Sequence, residues 1–226
     1  MKKLLSLVLA ALLLLGMTSA FAAEPSTYRM LYSGEATTLN YLITASTNEF
    51  AIAANVIDTL VEYDYLGQIQ PSLAESWEVS EDGLTWTFHL RKGVQWVNGK
   101  AEPVAELKAQ DFVVAAAYIL NAQNASATAN ILYSVIAGAK EYFDGTATPE
   151  AGQEAAPKPE WETGGVKAVD DYTLQYQLTS PVPYFLSMTT YVCFMPVNGD
   201  FLREKGADFG LATGNDTILY NGAYYI

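Results

Sequence analysis

The stretch that decides the fold is residues 71–112, PSLAESWEVSEDGLTWTFHLRKGVQWVNGKAEPVAELKAQDF. It contains two residue pairs that favour tight hairpin turns, Asp82-Gly83 and Asn98-Gly99, because such pairs readily adopt the positive φ angles of these turns. Between the turns, an apolar set alternates with a polar set, which is the pattern of a half-buried strand. The apolar set is Leu84, Trp86, Phe88 and Leu90, and the polar set is Thr85, Thr87, His89 and Arg91. The stretch therefore predicts a unit of short strands over residues 71–99, with core positions for Trp77, Trp86 and Trp96 and an outer-face position for His89.

The first residues have the pattern of a secretory signal. Lys2-Lys3 precede an apolar run at residues 4–15, and Ala20-Phe21-Ala22 matches the small-x-small cleavage pattern. The run is shorter than the roughly 20 residues that a membrane-spanning helix needs. We therefore predict a signal peptide at residues 1–22 in preference to a retained membrane anchor. The mature protein is expected in the periplasmic space or outside the cell.

The chain is acidic. Its 226 residues include 12 basic and 25 acidic residues, which gives a formal net charge of −13. Binding to nucleic acid or to anionic lipid depends on lysine and arginine side chains, so the composition argues against both partners. The acidity is interpreted as a contribution to solubility.

Cys193 is the only cysteine of the chain. An intrachain disulfide is therefore impossible, and the fold must be stabilised by its core. No cysteine stands directly after the predicted signal peptide, so we do not expect a lipid-anchored N-terminus. Cys193 lies in an apolar, strand-like run at residues 191–197, which favours a buried structural thiol over a nucleophile.

The rest of the chain reads as alternating helices and strands. Helical periodicity is predicted at residues 50–62, 111–121 (with Asp111 as cap), 131–143 (broken near Gly138), 184–190 and 201–206. Strands are predicted at residues 28–32, 166–169, 173–178 and 191–197, and the second and third of these pair across Asp170-Asp171-Tyr172. Residues 146–161 are rich in proline, alanine, glutamate and glycine, and we predict an exposed loop there.

A search for catalytic groups finds no compelling set. One histidine cannot build a multi-histidine zinc site, and His89 in a strand lacks the partners that orient the base of a triad. Carboxylate pairs such as Glu160 with Glu162, or Asp170 with Asp171, lie in turns and loops, and no feature singles out one of them as a glycosidase pair. The chain has no glycine-rich phosphate loop. We therefore predict a binding protein without catalytic residues, metal or cofactor.

Several motifs carry a resemblance to the extracellular solute-binding proteins of family 5, the dipeptide- and oligopeptide-binding components of ABC importers. They occur in family order and begin with the quoted stretch. The others are Ala109-Gln110-Asp111-Phe112-Val113, residues 165–174, Pro181-Val182-Pro183-Tyr184-Phe185 and Asn221-Gly222-Ala223-Tyr224. The resemblance implies a mixed α/β (α+β) fold of the periplasmic-binding-protein-like type II, in which a ligand is trapped between two lobes.

Members of this family are more than twice as long as this chain. The resemblance therefore implies only the N-terminal portion of the fold, without the second lobe. Residues 23–57 and 199–226 would form an incomplete lobe I. Residues 58–198 would form the small extra domain that the family adds, called domain II, and this domain would contain the hairpin unit.

The resemblance also implies where a ligand binds. In oligopeptide-binding relatives an extended loop runs beside the peptide backbone, and the register places Ala45, Ser46 and Thr47 in it. Pairing between main chains would explain tolerance of peptide sequence. A ligand-facing aromatic residue of some relatives falls near Ser126-Ala127, where this chain has small residues, and Lys108 stands where a threonine often caps the helix.

The implied function is capture of peptides outside the membrane and their delivery to the permease subunits of an ABC transporter. The expected partners are a peptide and the permease, with a monomeric binding protein. Two alternatives stay open. The chain could bind another solute, such as a nickel complex, an oligosaccharide or an opine, or it could be a secreted hydrolase.

Overall fold

The computed structural model describes Arg29, residues 34–149, Trp161 and residues 164–226. The predicted signal peptide, the predicted strand at residues 28–32 apart from Arg29, and most of the predicted loop at residues 146–161 lie outside these residues. Residues 34–226 form one unit around a continuous apolar core. The division of this unit into lobe I and domain II stays a prediction. None of its described helices is long and apolar enough to cross a membrane.

The unit combines six α-helices and eight short strands within the described residues. The helices are α1 (Thr47–Val56), α2 (Ala109–Leu120), α3 (Ala129–Tyr133), α4 (Ala139–Thr146), α5 (Phe185–Met188) and α6 (Gly199–Lys205). The strands are β1 (Val61–Tyr63), β2 (Ile69–Pro71), β3 (Ala74–Val79), β4 (Thr85–Leu90), β5 (Gln95–Val97), β6 (Pro103–Glu106), β7 (Val166–Asp170) and β8 (Thr173–Gln177). Short 3₁₀ helices lie at Ala122–Asn124, Val192–Phe194 and Gly206–Asp208.

An antiparallel sheet of four strands in the order β3-β4-β8-β7 is the largest sheet of the described residues. The β3–β4 hairpin confirms the turn predicted at Asp82-Gly83. Gly83 has a φ of 70°, and the Asp82 carboxylate accepts a hydrogen bond of 3.0 Å from the Leu84 amide. The predicted pairing of the strands around Asp170-Asp171-Tyr172 is also confirmed, as β7 with β8.

The apolar face of β4 lies on the core as the alternation predicts. Phe88 is fully buried and meets the Tyr176 ring edge to face at 5.9 Å between centroids. Trp86 is only half-buried, and it packs against the Phe185 ring at 5.5 Å. His89 on the opposite face keeps 44% of its side chain exposed. The predicted inner and outer faces are therefore correct.

Trp96 joins the second hairpin, β5–β6, to the start of α2. Its ring is fully buried, and its indole Nε1 donates a 2.8 Å hydrogen bond to the Asp111 carboxylate. The same carboxylate accepts from the backbone amide of Lys108 at 3.1 Å. The predicted cap position of Asp111 is therefore wrong by three residues: Lys108 is the N-cap, and Asp111 closes the first turn from inside the helix.

Two other sequence predictions are wrong at the level of elements. The helix predicted at residues 50–62 ends at Val56, because Ile57 is extended and residues 61–63 form β1. The strand predicted at residues 191–197 is the 3₁₀ helix Val192–Phe194, whose three side chains are all buried. A short apolar run that is buried on every side has no periodicity that separates strand from helix.

The exposed loop predicted at residues 146–161 is wrong at its two end residues, Thr146 and Trp161, whereas residues 147–149 are exposed and outside helices and strands as predicted. Thr146 is the last residue of α4 and is buried, and its hydroxyl accepts a 2.9 Å hydrogen bond from the Ala122 amide. Trp161 is also buried, with its ring edge to face on Tyr142 at 5.1 Å. Nothing is described for residues 150–160.

The C-terminal residues 210–222 hydrogen-bond to the chain before α1 and to the last residue of α1. The Leu39 amide donates to the Gly210 carbonyl at 2.7 Å. At the other end of α1, the Val56 carbonyl accepts from the Asn221 and Gly222 amides at 3.2 and 3.0 Å. These bonds satisfy a carbonyl that the end of a helix leaves without an intrahelical partner. The Asn-Gly-Ala-Tyr motif therefore caps α1 from a distance in sequence.

Candidate functional site

The candidate ligand-binding residues lie where the chain enters α1. Ala45 and Thr47 are exposed and Ser46 is half-buried. Ser46 is the N-cap residue, with extended backbone angles, and Thr47 is the first residue of the helix. Only Ala45 and Ser46 therefore belong to an extended loop as predicted, and Thr47 adds the first turn of a helix to the same surface.

This surface offers backbone donors. The first amides of an α-helix have no intrahelical acceptor, and the Ser46 side chain makes no capping hydrogen bond. Within the described part of the chain, the amides of Ala45 and Thr47 have no hydrogen-bond partner. An incoming main-chain carbonyl or carboxylate could accept from both of them.

A buried glutamate holds the loop in place. The Glu49 carboxylate accepts hydrogen bonds from the Thr37 amide and hydroxyl, both at 2.8 Å, and from the Thr38 amide at 3.1 Å. It also accepts a short hydrogen bond from the Thr44 hydroxyl. Thr44 in turn accepts from the Ser46 amide at 2.9 Å. The chain of contacts from Glu49 through Thr44 to Ser46 fixes the backbone that presents the candidate residues.

Burial alone would raise the pKa of Glu49. The hydrogen bonds from Thr44, Thr37 and Thr38 outweigh burial and lower the pKa of this carboxyl below its ordinary value. Glu49 is therefore charged at neutral pH, and hydrogen bonds from neighbouring groups stabilise its charge.

Ser126 and Ala127 contact the segment that leads into this loop. The Ser126 hydroxyl donates to the Leu42 carbonyl at 2.6 Å, and the Ala127 amide donates to the Ile43 carbonyl at 3.0 Å. Ser126 and Ala127 therefore lie beside the approach to Ala45, and their small side chains leave this border open.

A contact between two aromatic rings, which the sequence did not predict, lies one helical turn beyond Thr47. Phe50 follows Thr47 by three residues, so both lie on neighbouring faces of α1. Its ring meets that of Tyr191 edge to face, with 5.5 Å between centroids and an interplanar angle of 73°. The spacing from Thr47 to Phe50 could have indicated Phe50, but nothing in the sequence pairs it with Tyr191.

The other candidate groups do not form a site. His89 Nε2 lies 3.8 Å from one oxygen of Glu78, and both side chains are largely open to solvent. Burial raises the pKa of the Cys193 thiol to about 12, so the predicted inert, buried thiol is confirmed. Glu160 and Glu162 lie outside the described residues. In the part of the chain that the structure describes, no three histidine, cysteine, aspartate or glutamate residues could hold a metal ion together.

Comparisons with known proteins place the chain in a family. Residues 68–226 match the model of the bacterial extracellular solute-binding proteins, family 5. The match spans more than half of the sequence, and the chain belongs to this family. The resemblance found in the sequence is thereby confirmed.

Individual relatives agree with this assignment. The oligopeptide-binding protein AmiA of Streptococcus pneumoniae is 38% identical over 208 residues, which are 92% of this chain and 30% of AmiA. A crystal structure of an oligopeptide ABC transporter substrate-binding domain from Bacillus anthracis superposes with a TM-score of 0.70 and 31% identity, over 84% of this chain and 33% of the other. The structure of Haemophilus influenzae OppA in complex with the peptide RPPGFSPFR has a TM-score of 0.68 and 30% identity, over 84% and 33% of the two chains.

The chain thus spans about a third of the length of the relatives that it matches. The mixed α/β architecture predicted from the sequence is confirmed as a partial match to the substrate-binding domains of oligopeptide-binding proteins. Family 5 is a family of solute-binding proteins, described as extracellular, so a role in binding is the class of function that membership supports.

Proposed function

We propose that this chain forms part of the substrate-binding component of an ABC importer that captures peptides outside the membrane and delivers them to the permease. Family membership and the oligopeptide-binding relatives support this proposal. The single structural observation that carries it is the surface at Ala45, Ser46 and Thr47, where hydrogen bonds from Ser46 through Thr44 to Glu49 fix the loop and the amides of Ala45 and Thr47 stay available as donors.

The mode of binding follows from that surface. A peptide that lies extended along the loop can pair its main chain with the protein's main chain, and this pairing is independent of peptide sequence. Because Glu49 and Thr44 fix the loop beforehand, little conformational entropy is lost when a peptide binds. Ser126 and Ala127 border the path of the peptide without blocking it.

The domain arrangement belongs to the same proposal. Residues 23–57 and 199–226 form part of lobe I, and residues 58–198 form domain II. Hydrogen bonds between residues 39 and 210, and from residues 221 and 222 to residue 56, support the grouping of the two segments of lobe I. The second lobe, which would close over the peptide, corresponds to the part of the relatives that this chain does not match.

The remaining parts of the proposal concern partners and location. The protein acts as an exported monomer, and it binds neither nucleic acid nor a cofactor. It captures its ligand and does not transform it. The formal net charge of −13 supports the absence of a nucleic-acid partner.

Calorimetry tests the proposal. Mixed-sequence peptides are titrated into a protein of the relatives' length, made by joining this chain to the part of AmiA that it does not match. We expect heat release with a dissociation constant of about 1 μM or below. Because it supplies only one wall of the cleft, the 226-residue chain alone should bind in the range of about 1 mM.

Other outcomes would identify another function. Heat from a nickel complex, an oligosaccharide or an opine, with none from any peptide, would keep the class of protein and replace the ligand. Turnover of a peptide or a glycan that is lost in a Glu160→Gln variant would show a hydrolase. Tight peptide binding by the 226-residue chain alone would contradict the one-wall arrangement.

A further inference from the structure

We propose that Phe50 and Tyr191 form an aromatic subsite for one apolar or aromatic side chain of the peptide whose main chain pairs with Ala45, Ser46 and Thr47. This inference rests on the proposed function and adds a sequence preference to it. Main-chain pairing alone gives the same affinity whatever the side chains of the peptide are. A pair of aromatic rings beside it would favour peptides with an apolar or aromatic side chain at one position.

The first argument is position. Phe50 lies one helical turn beyond Thr47 in α1, and residues three apart on a helix are neighbours on its surface. Tyr191 reaches this place from a distant part of the chain, with its ring centroid 5.5 Å from that of Phe50. The pair of rings is therefore attached to α1 one helical turn from Thr47, whose amide is one of the backbone donors.

The second argument is that Tyr191 is exposed although its backbone is fixed. It is 40% exposed, while the next three residues, Val192, Cys193 and Phe194, are at most 4% exposed. Its amide donates to the Met188 carbonyl at 2.9 Å, and its carbonyl accepts from the Phe194 amide at 2.9 Å. A large apolar ring is thus held open to solvent by a well-anchored segment, which is the arrangement expected of a preformed contact surface.

The third argument is the division of roles within the pair. Phe50 is half-buried and packs against the core, so it anchors the pair. Tyr191 packs on Phe50 and keeps 40% of its surface open to solvent. Edge-to-face and offset-stacked contacts between aromatic rings are favourable beyond the burial of apolar area. A phenylalanine or leucine side chain placed there would gain contacts that alanine cannot make.

The test uses the 226-residue chain and six peptides: pentaalanine and the five peptides in which one alanine is replaced by phenylalanine. Dissociation constants are measured by NMR titration at millimolar peptide concentrations. We expect one phenylalanine position to tighten binding on the order of 5-fold. A Tyr191→Ala variant should lose this gain and bind pentaalanine as the unmodified chain does, while Tyr191→Phe should keep it.

Two further variants serve as controls. Tyr184→Ala removes another exposed tyrosine, 64% open to solvent, and should leave all six affinities unchanged. Phe50→Leu keeps an apolar anchor but removes the second ring, and it should reduce the gain at the same peptide position. If the NMR spectrum shows that Tyr191→Ala is not folded, the result for Phe50→Leu decides whether the aromatic subsite exists.

The outcomes separate the two proposals. Equal affinity for all six peptides, or an equal loss for all six in Tyr191→Ala, would overturn the aromatic subsite and leave peptide binding standing. Failure of every peptide to shift any resonance of the unmodified chain would overturn peptide binding by this surface, and the subsite with it.

Discussion

At the residue scale, two buried carboxyl groups behave in opposite ways, and each affects the protein differently. Glu49 is surrounded by donors, so its charge is stabilised and the loop at Ala45 is held in place. Asp111 is buried with fewer donors, and burial raises its pKa to about 6 in spite of the hydrogen bond from Trp96. The first group gives order to the candidate site, and the second gives the fold a dependence on pH.

The pH dependence has a definite sign. The pKa of Asp111 is higher in the folded than in the unfolded chain, so its protonated form is favoured by folding. Its contribution is fully present below pH 4 and is lost as pH rises through about 6. In an Asp111→Asn variant, the free energy of unfolding relative to the unmodified chain should therefore rise between pH 4 and pH 6.5, by at most about 3 kcal/mol.

Urea unfolding at a series of pH values measures this difference. Asp58 also has a pKa raised to about 6 by burial and by Glu62, so some slope should persist in the variant. The difference between the two proteins isolates Asp111. A difference that is constant from pH 4 to pH 6.5 would show that Asp111 ionises as readily in the folded chain as in the unfolded one.

A second residue-scale prediction concerns Thr44. A Thr44→Val change removes the donor to Glu49 and the acceptor of the Ser46 amide, and leaves a buried carboxylate oxygen without that partner. We expect a loss of about 1–3 kcal/mol in the free energy of unfolding and faster hydrogen exchange at the Ser46 amide. Thr44→Ser keeps the hydroxyl and is the matched control. Unchanged exchange at Ser46 in Thr44→Val would mean that the loop is held by other contacts.

At the element scale, α1 is ordered from both ends by distant contacts. The Glu49 network lies at its start, and the Asn221-Gly222 backbone lies against its end. A β-carbon on Gly222 would approach the Val56 carbonyl carbon to 2.7 Å. Only glycine lets the two backbones come this close.

Gly222→Ala should therefore destabilise the chain by about 1–3 kcal/mol, since the clash is with backbone and cannot be relieved by a side-chain rotation. Gly34→Ala is the control, because its β-carbon would meet only the end of the Asn48 side chain, at 3.3 Å. Thermal unfolding of the two variants provides the comparison. Equal midpoints would show that the C-terminal segment moves away from α1 without cost.

The same scale shows what the sequence could and could not predict. The β3–β4 hairpin and the β7–β8 pair were predictable because Asp-Gly and Asp-Asp-Tyr turns lie between alternating segments. The end of α1 was not, because its capping partners lie more than 160 residues away in the chain, as with the hydrogen bond from Asp58 to Asn221. The 3₁₀ helix at Val192–Phe194 was not predictable either, since burial on all sides removes the periodicity. The pairing of Phe50 with Tyr191 is a tertiary contact and leaves no local signal.

At the scale of the whole molecule, charge is distributed unevenly. Residues 34–90 contain nine acidic residues and no lysine or arginine. The excess of acidic side chains, which gives the whole chain a formal net charge of −13, repels phosphate groups, so we expect no change in the fluorescence anisotropy of labelled single- or double-stranded DNA at low salt. A rise in anisotropy that disappears with added salt would contradict the proposed absence of a nucleic-acid partner.

The central claim is that the backbone at Ala45, Ser46 and Thr47 pairs with the main chain of a peptide through the amides of Ala45 and Thr47, since the Ser46 amide donates to Thr44. The most direct test is an NMR titration of the 226-residue chain with mixed-sequence peptides, observed at the backbone amides of these three residues. The claim predicts that the amides of Ala45 and Thr47, which have no partner within the described residues, shift together and saturate with one dissociation constant. Peptide-induced shifts that leave these amides unchanged and appear elsewhere, such as around His89, would contradict it.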